Sequence, residues 1–270
     1  MQEIEVFLQN KGVASNSLES YRRDLTALKS HFGVKNLVLL KREDLEGYFS
    51  ALTKKLSPSS LTRRISVVRS FYRYFCKEGT IKKSPMDGIL ACNFKGKKRE
   101  SLTEEELEAL TSLPATGLRG RRDGAMLRLL CETGMRVSEM IQLNQNSFCK
   151  ERGTLLCGKG KRSREILLTP VLCDTLQTYL SVAHLYADGE GAAMFVTAAG
   201  KRITRQGFWK NMKEHAVAMG VEKHISPQTL RRSLAQKMMR EGKKKEEIRR
   251  LLGNADTASL RNYETKEKGK

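Results

Sequence analysis

The sequence predicts a mainly α-helical chain with one small antiparallel β-sheet, divided into two domains. Three observations predict it. Apolar residues recur at three- and four-residue steps through the first ninety positions. Two short apolar runs flank a glycine-rich basic stretch around residue 159. The chain has 270 residues, more than the roughly 100–200 of an ordinary domain. The expected boundaries are 1–94 for a helical domain, 95–100 for a basic linker and 101–270 for an α+β domain.

Taken in order, the first strong helix is the one capped by Ser17, in which Leu18, Tyr21, Leu25, Leu28 and Phe32 form an apolar stripe and Arg22, Arg23 and Lys29 lie off it. Gly33 ends it. Asp44 opens a second helix through Leu45, Tyr48, Phe49 and Leu52, and Ser57-Pro58 breaks the chain before a third. In that third helix Leu61, Ile65, Val68, Phe71, Tyr72 and Phe75 make a core stripe while Arg63, Arg64, Arg69 and Arg73 project elsewhere. Forked guanidinium groups in such a row suit a phosphate backbone, although a solvated charged face reads the same way. Lys95, Lys97, Lys98 and Arg99 then surround Gly96, and Thr103 with Glu106 forms a capping box that starts the next helix.

Charge points to a polyanionic partner. Lys plus Arg number 50 against 30 Asp plus Glu, a net +20, with 19 basic and 9 acidic residues in 1–98 and 31 and 21 in 99–270. Both halves therefore carry +10, and both should face the same partner. A solvated basic surface or a ribosome-associated protein satisfies the charge alone equally well. No uninterrupted apolar run reaches membrane-spanning length, so a cytoplasmic protein without a secretory signal is expected. The six cysteines are scattered without a CxxC pair and only four histidines are present, which favours buried thiols over disulfides or a metal site.

The second domain carries the chemistry-bearing residues. In LLCETGMRVSEMIQL, Arg136 follows Gly134 at the break between two helices, where its side chain can leave the core. In GTLLCGKGKRSREILL, Lys159 lies in the turn of a β-hairpin, with Lys161 beside it as a second cation. Ser226 as cap and Pro227 at the first helical position begin the helix of Gln228 and Arg231, with Leu230, Leu234 and Met238 as its apolar stripe. Asn254 follows the helix stop Gly253, and Tyr263 ends a short helix, ASLRNY, capped by Asp256-Thr257.

These four pieces, in this order and at these spacings, resemble the tyrosine recombinases, the phage-integrase and Xer group. The resemblance spans nearly the whole chain and is strongest at GMRVSE, GKG, the SPxxLR helix start and LLG followed, after nine intervening residues, by tyrosine. It implies an N-terminal helical core-binding domain, a catalytic domain, and double-stranded DNA as partner, with self-assembly into a tetramer on DNA. It also implies the roles. Arg136 and Arg231 hold the non-bridging oxygens of a phosphodiester, Lys159 protonates the leaving 5′ oxygen, and Tyr263 attacks phosphorus to form a 3′-phosphotyrosine. Neither a metal nor another cofactor is called for, because the ester bond is stored on the protein. A phenol has an ordinary pKa near 10 and needs such neighbours to attack at neutral pH.

Two positions depart from the family pattern. Where it usually has histidine, three before the second arginine, this chain has Gln228; where it has histidine or tryptophan, nine before the tyrosine, it has Asn254. Amides donate hydrogen bonds but do not exchange protons near neutrality, and His224, two residues before the helix, reads as a loop residue. An active or slowed recombinase is expected, with a catalytically silent DNA-binding relative and a generic basic helical DNA-binding protein as alternatives. Only seven residues follow Tyr263, which implies assembly unlike that of relatives that pass a longer tail to a neighbour.

Overall fold

Where the apolar stripes of the first ninety residues meet, they make a core of their own. The computed structural model describes residues 1–12, 15–33, 36–90, 100–112, 116–158, 160, 163–187, 189 and 191–264. The chain divides into two compact units, Met1–Lys98 and Arg99–Lys270.

The first unit contains α1 (Gln2–Gln9), α2 (Ser15–Phe32), α3 (Arg42–Thr53) and α4 (Pro58–Lys77), with a single 3₁₀ turn at Leu37–Leu39. All six stripe residues of α4 are buried and meet Leu25, Leu28, Leu45, Tyr48 and Phe49. Each fully buried side chain of this size contributes about 1.5–3 kcal/mol. Two helix starts differ from the sequence reading. Ser17 lies inside α2, which begins at Ser15. Helix α3 begins at Arg42, and Asp44 sits one turn in, where its carboxylate accepts the Lys41 backbone N–H at 2.8 Å. The same residue acts as a cap from the third position instead of the first.

The second unit is organised around α6 (Gly117–Thr133), which packs against α5 (Glu104–Thr111), α8 (Pro170–Ala183), α9 (Arg205–Ala218) and α10 (Pro227–Arg240). Strands β1 (Phe148–Cys149), β2 (Thr154–Cys157) and β3 (Arg164–Leu167) form one antiparallel sheet in sequence order, and Cys157 pairs with Arg164 on the rung next to the β2–β3 connection. Leu155, Cys157 and Ile166 turn inward while Leu156 and Leu167 face out, the alternation a half-buried sheet requires. Short α7 (Val137–Met140) and α11 (Lys245–Leu252) complete the helices. Thr103 and Glu106 form the expected capping box at α5. Tyr263 does not lie in an α-helix: Ala258–Asn262 is a 3₁₀ segment with Asp256 Oδ1 accepting from Ser259 N–H, and Tyr263 follows it. Among the described residues, no helix is long and apolar enough to cross a membrane.

Helix α6 ends on Gly134 in the left-handed conformation, φ 57°. A Cβ there would lie 2.5 Å from a Leu252 methyl and 2.9 Å from a Leu234 methyl. Gly134→Ala is therefore expected to destabilise the second unit by about 2–4 kcal/mol, from left-handed backbone strain plus overpacking. Urea unfolding reads this directly, and an unchanged midpoint would mean that the two leucines give way.

Candidate active site

The second arginine is buried by the fold and surrounded by acceptors that carry no charge. Ser226 caps α10 by accepting the Thr229 N–H, Pro227 occupies the first helical position, and Arg231 follows on the next turn, 3% exposed. Its Nε donates to the Tyr263 hydroxyl at 3.0 Å. One terminal nitrogen donates to the carbonyls of Gly134 (2.6 Å) and Leu252 (2.8 Å), and the other to Asn254 Oδ1. Burial pulls its pKa below the ordinary guanidinium value, against the Tyr263 hydrogen bond, which raises it. A cation with five donors and no bonded carboxylate keeps its field for whatever enters beside it.

Arg136 reaches the same turn from another direction. Its backbone N–H is held by Glu139 at 2.9 Å, the first turn of α7, and a terminal nitrogen donates to Gly253 O at 3.0 Å and Glu139 Oε1 at 3.2 Å. The side chain is 37% exposed, and the remaining guanidinium nitrogens have no partner among the described residues. The two arginines thus bond three consecutive residues, Leu252, Gly253 and Asn254. Gly253 ends α11 at φ 63°, a left-handed turn that glycine adopts without strain.

Around this turn opens a cleft of about 840 Å³ between β3 and α11, with Arg136, Arg164, Arg249, Arg250 and Asn254 in its lining. Asn254 is 8% exposed, and its Nδ2 has no hydrogen-bond partner among the described residues. Tyr263, 9% exposed, packs with Ala235, Ile248, Leu252 and Leu260, and its backbone oxygen accepts from Gln236 Nε2. Gln228 is exposed on the first turn of α10, as is His224 on the loop before it.

Two further residues, neither assigned a role by the motifs, organise the site. Glu139 accepts from both arginines that reach it, Arg136 and Arg164. Burial pushes its carboxyl up, but the Arg164 hydrogen bonds and the Arg136 N–H outweigh this and hold it below the usual carboxylate range. Its signal was available: glutamate three residues after the first residue of a helix break is capping-box spacing. Arg164 gave none, being one of four cations in a basic run. Lys159 and Lys161, like Lys97 and Lys98, lie outside the described residues. Of the α4 arginines, Arg63 bonds Ser20 and the fully buried Asp24, Arg64 pairs with Asp24 and donates to Tyr48, and Arg69 donates to Ile89 O. Arg73 is exposed without a hydrogen bond or ion pair among the described residues.

The structure thus holds the Tyr263 phenol against the buried Arg231 guanidinium and sets Arg136 on the same turn, beside a basic cleft that Arg136 and Asn254 line while Arg231 and Tyr263 do not. Comparison with known proteins gives the family. Residues 100–270 match the model of the phage integrase family, and residues 4–79 match the phage integrase N-terminal SAM-like domain. Tyrosine recombinase XerD of Oceanobacillus iheyensis is 32% identical over 262 residues, covering 94% of this chain and 88% of that protein. Tyrosine recombinase XerC of Herpetosiphon aurantiacus is 30% identical over 275 residues, covering 97% and 90%. Among solved structures, the Tn1549 transposon integrase in complex with a circular intermediate DNA has a TM-score of 0.83 at 15% identity, covering 98% of this chain and 94% of that one. The XerH recombinase bound to its palindromic difH substrate has a TM-score of 0.74 at 21% identity, covering 92% and 75%. The chain belongs to the phage integrase family, and it is a site-specific recombinase of the tyrosine type.

Proposed function

We propose that this recombinase breaks and rejoins double-stranded DNA through Tyr263, with Arg136 and Arg231 holding the scissile phosphate and Lys159 protonating the leaving group. The observation that carries the reading is the bond from Arg231 Nε to the Tyr263 hydroxyl, which brings nucleophile and phosphate-binding cation within one hydrogen bond of each other. The phenolic oxygen attacks phosphorus, the bond to the 5′ oxygen breaks, and that oxygen leaves as a hydroxyl with a proton from Lys159. The phenolic proton passes to solvent, because neither Gln228 nor Asn254 accepts one. Two guanidinium groups act most strongly when the five-coordinate phosphorus carries its extra negative charge. The unpartnered Nδ2 of Asn254 is a ready donor to a phosphate oxygen, and satisfying a buried N–H recovers about 1–3 kcal/mol.

In this reading residues 1–94 and 101–270 are a core-binding and a catalytic domain joined by a basic linker at 95–100. Arg63, Arg64, Arg69, Arg73, Lys97, Lys98 and Lys161 contact backbone phosphates, Arg73 most directly, since Arg63, Arg64 and Arg69 are already engaged within the unit. Recombination exchanges four strands, so four copies assemble on DNA, in the cytoplasm where the DNA is. The test is suicide DNA, nicked so that cleavage cannot reverse, drawn from the sequence flanking the gene and read by denaturing electrophoresis. A protein-linked strand is expected. Duplex binding with steep salt dependence and no adduct would replace this reading by a silent DNA-binding relative.

The amides carry a prediction of their own. Proton transfer by a placed imidazole is worth about 10²–10⁴ in rate, so Gln228→His combined with Asn254→His is expected to raise single-turnover cleavage at neutral pH by about tenfold or more. An unchanged rate would mean that proton transfer does not limit the step.

A further inference from the structure

The geometry points to Arg164 as a positioning residue that ties the lysine-bearing hairpin to the phosphate-binding arginine, so that acid and phosphate site are held in one register. The inference rests on the role proposed above for Lys159. Arg164 is the first residue of β3 and the register partner of Cys157, two residues before Lys159 in sequence, so whatever fixes this rung fixes the strand end from which the lysine-bearing segment leaves. Its side chain is 14% exposed and grips in two directions. Both terminal nitrogens donate to Glu139, at 3.2 Å each, in a forked pair, and Nε donates to Leu251 O at 3.1 Å. Glu139 in turn holds the Arg136 backbone N–H and guanidinium. Arg164 also lies over Gly253, where a Cβ would be 2.5 Å from its guanidinium nitrogen. One planar group therefore links the sheet, α7 and the end of α11. A planar fork makes three bonds at fixed angles, which a lysine ammonium on a flexible stem cannot reproduce.

Arg164 spends itself on protein acceptors and has no need to touch DNA to matter. Displacing a reacting group by about 1 Å costs on the order of 10² in rate. The variants Arg164→Gln and Arg164→Lys are to be compared with wild type on two suicide substrates, an ordinary phosphodiester and one in which sulfur replaces the leaving 5′ oxygen. A thiolate departs without a proton. Arg164→Gln is expected to cleave the ordinary substrate about 30–100-fold more slowly, with DNA affinity within about threefold of wild type, and the sulfur substrate at near wild-type rate. Arg164→Lys should fall between. Equal losses on both substrates, or a loss of affinity matching the loss of rate, would overturn the proposal. Hydrogen exchange supplies a readout that needs no cleavage: in Arg164→Gln the amides of 164–168 and 250–254 should exchange faster while those of α6 do not. Unchanged exchange in both stretches would remove the tether even if wild type proved unable to cut.

Discussion

Replacing Tyr263 by phenylalanine is expected to abolish covalent capture of DNA while the protein stays folded and bound. Removal of the covalent nucleophile lowers turnover by on the order of 10⁶ in a serine protease, and a phenylalanine ring has no oxygen with which to attack phosphorus, so no protein-linked strand should be detectable. The competing effect is structural, because Tyr263 lies in a small apolar cluster with Leu252 and Leu260. The phenyl ring keeps that packing. What the variant loses is one acceptor for Arg231 Nε, and leaving a buried donor unpaired costs about 1–3 kcal/mol, less than the 5–15 kcal/mol that holds an ordinary domain together. Gel-shift affinity within about twofold of wild type, with no adduct on the same nicked DNA, separates the two effects. A residual adduct in Tyr263→Phe would assign the attack to another group.

The helical part of the fold was legible because its signals are local. Pro227 at a first helical position, Ser226 as its cap, the Thr103–Glu106 capping box and the six-residue stripe of α4 each act within a turn or two of chain. The β-hairpin was legible for the same reason, from alternation about a glycine-rich turn. The site was legible only as a set of residue types at fixed separations. Nothing in the sequence places Arg136 against Gly253 or Arg231 against Gly134, since those bonds join residues 117 and 97 positions apart. Motif spacing stood in for geometry at Arg136, Arg231 and Tyr263. It could not at Arg164, whose neighbours in sequence look alike and whose distinction is that the sheet register points it at Glu139. The α4 arginines show the opposite failure. Sequence treats them as one row, whereas a buried aspartate on α2 engages two of them.

Arg231→Lys is expected to reduce single-turnover cleavage by about 10²–10³, the cost of removing an oxyanion donor, and to do so more severely than the same change at Arg136. The difference follows from charge. Arg136 shares Glu139 with Arg164, so part of its field is cancelled, and more than a third of it is open to water. Arg231 bonds only neutral acceptors and is almost wholly buried, which makes its charge felt more strongly by a phosphate at the cleft. Lysine retains the charge, but it offers three donors where arginine uses four bonds, so at least one of the Gly134, Leu252, Asn254 and Tyr263 oxygens goes unpaired. About 1–3 kcal/mol of stability should be lost with it, visible as a lower urea midpoint. DNA affinity, spread over many backbone contacts, should change by no more than about threefold. If affinity instead falls in step with cleavage, Arg231 serves ground-state binding and the transition-state role assigned to it is wrong.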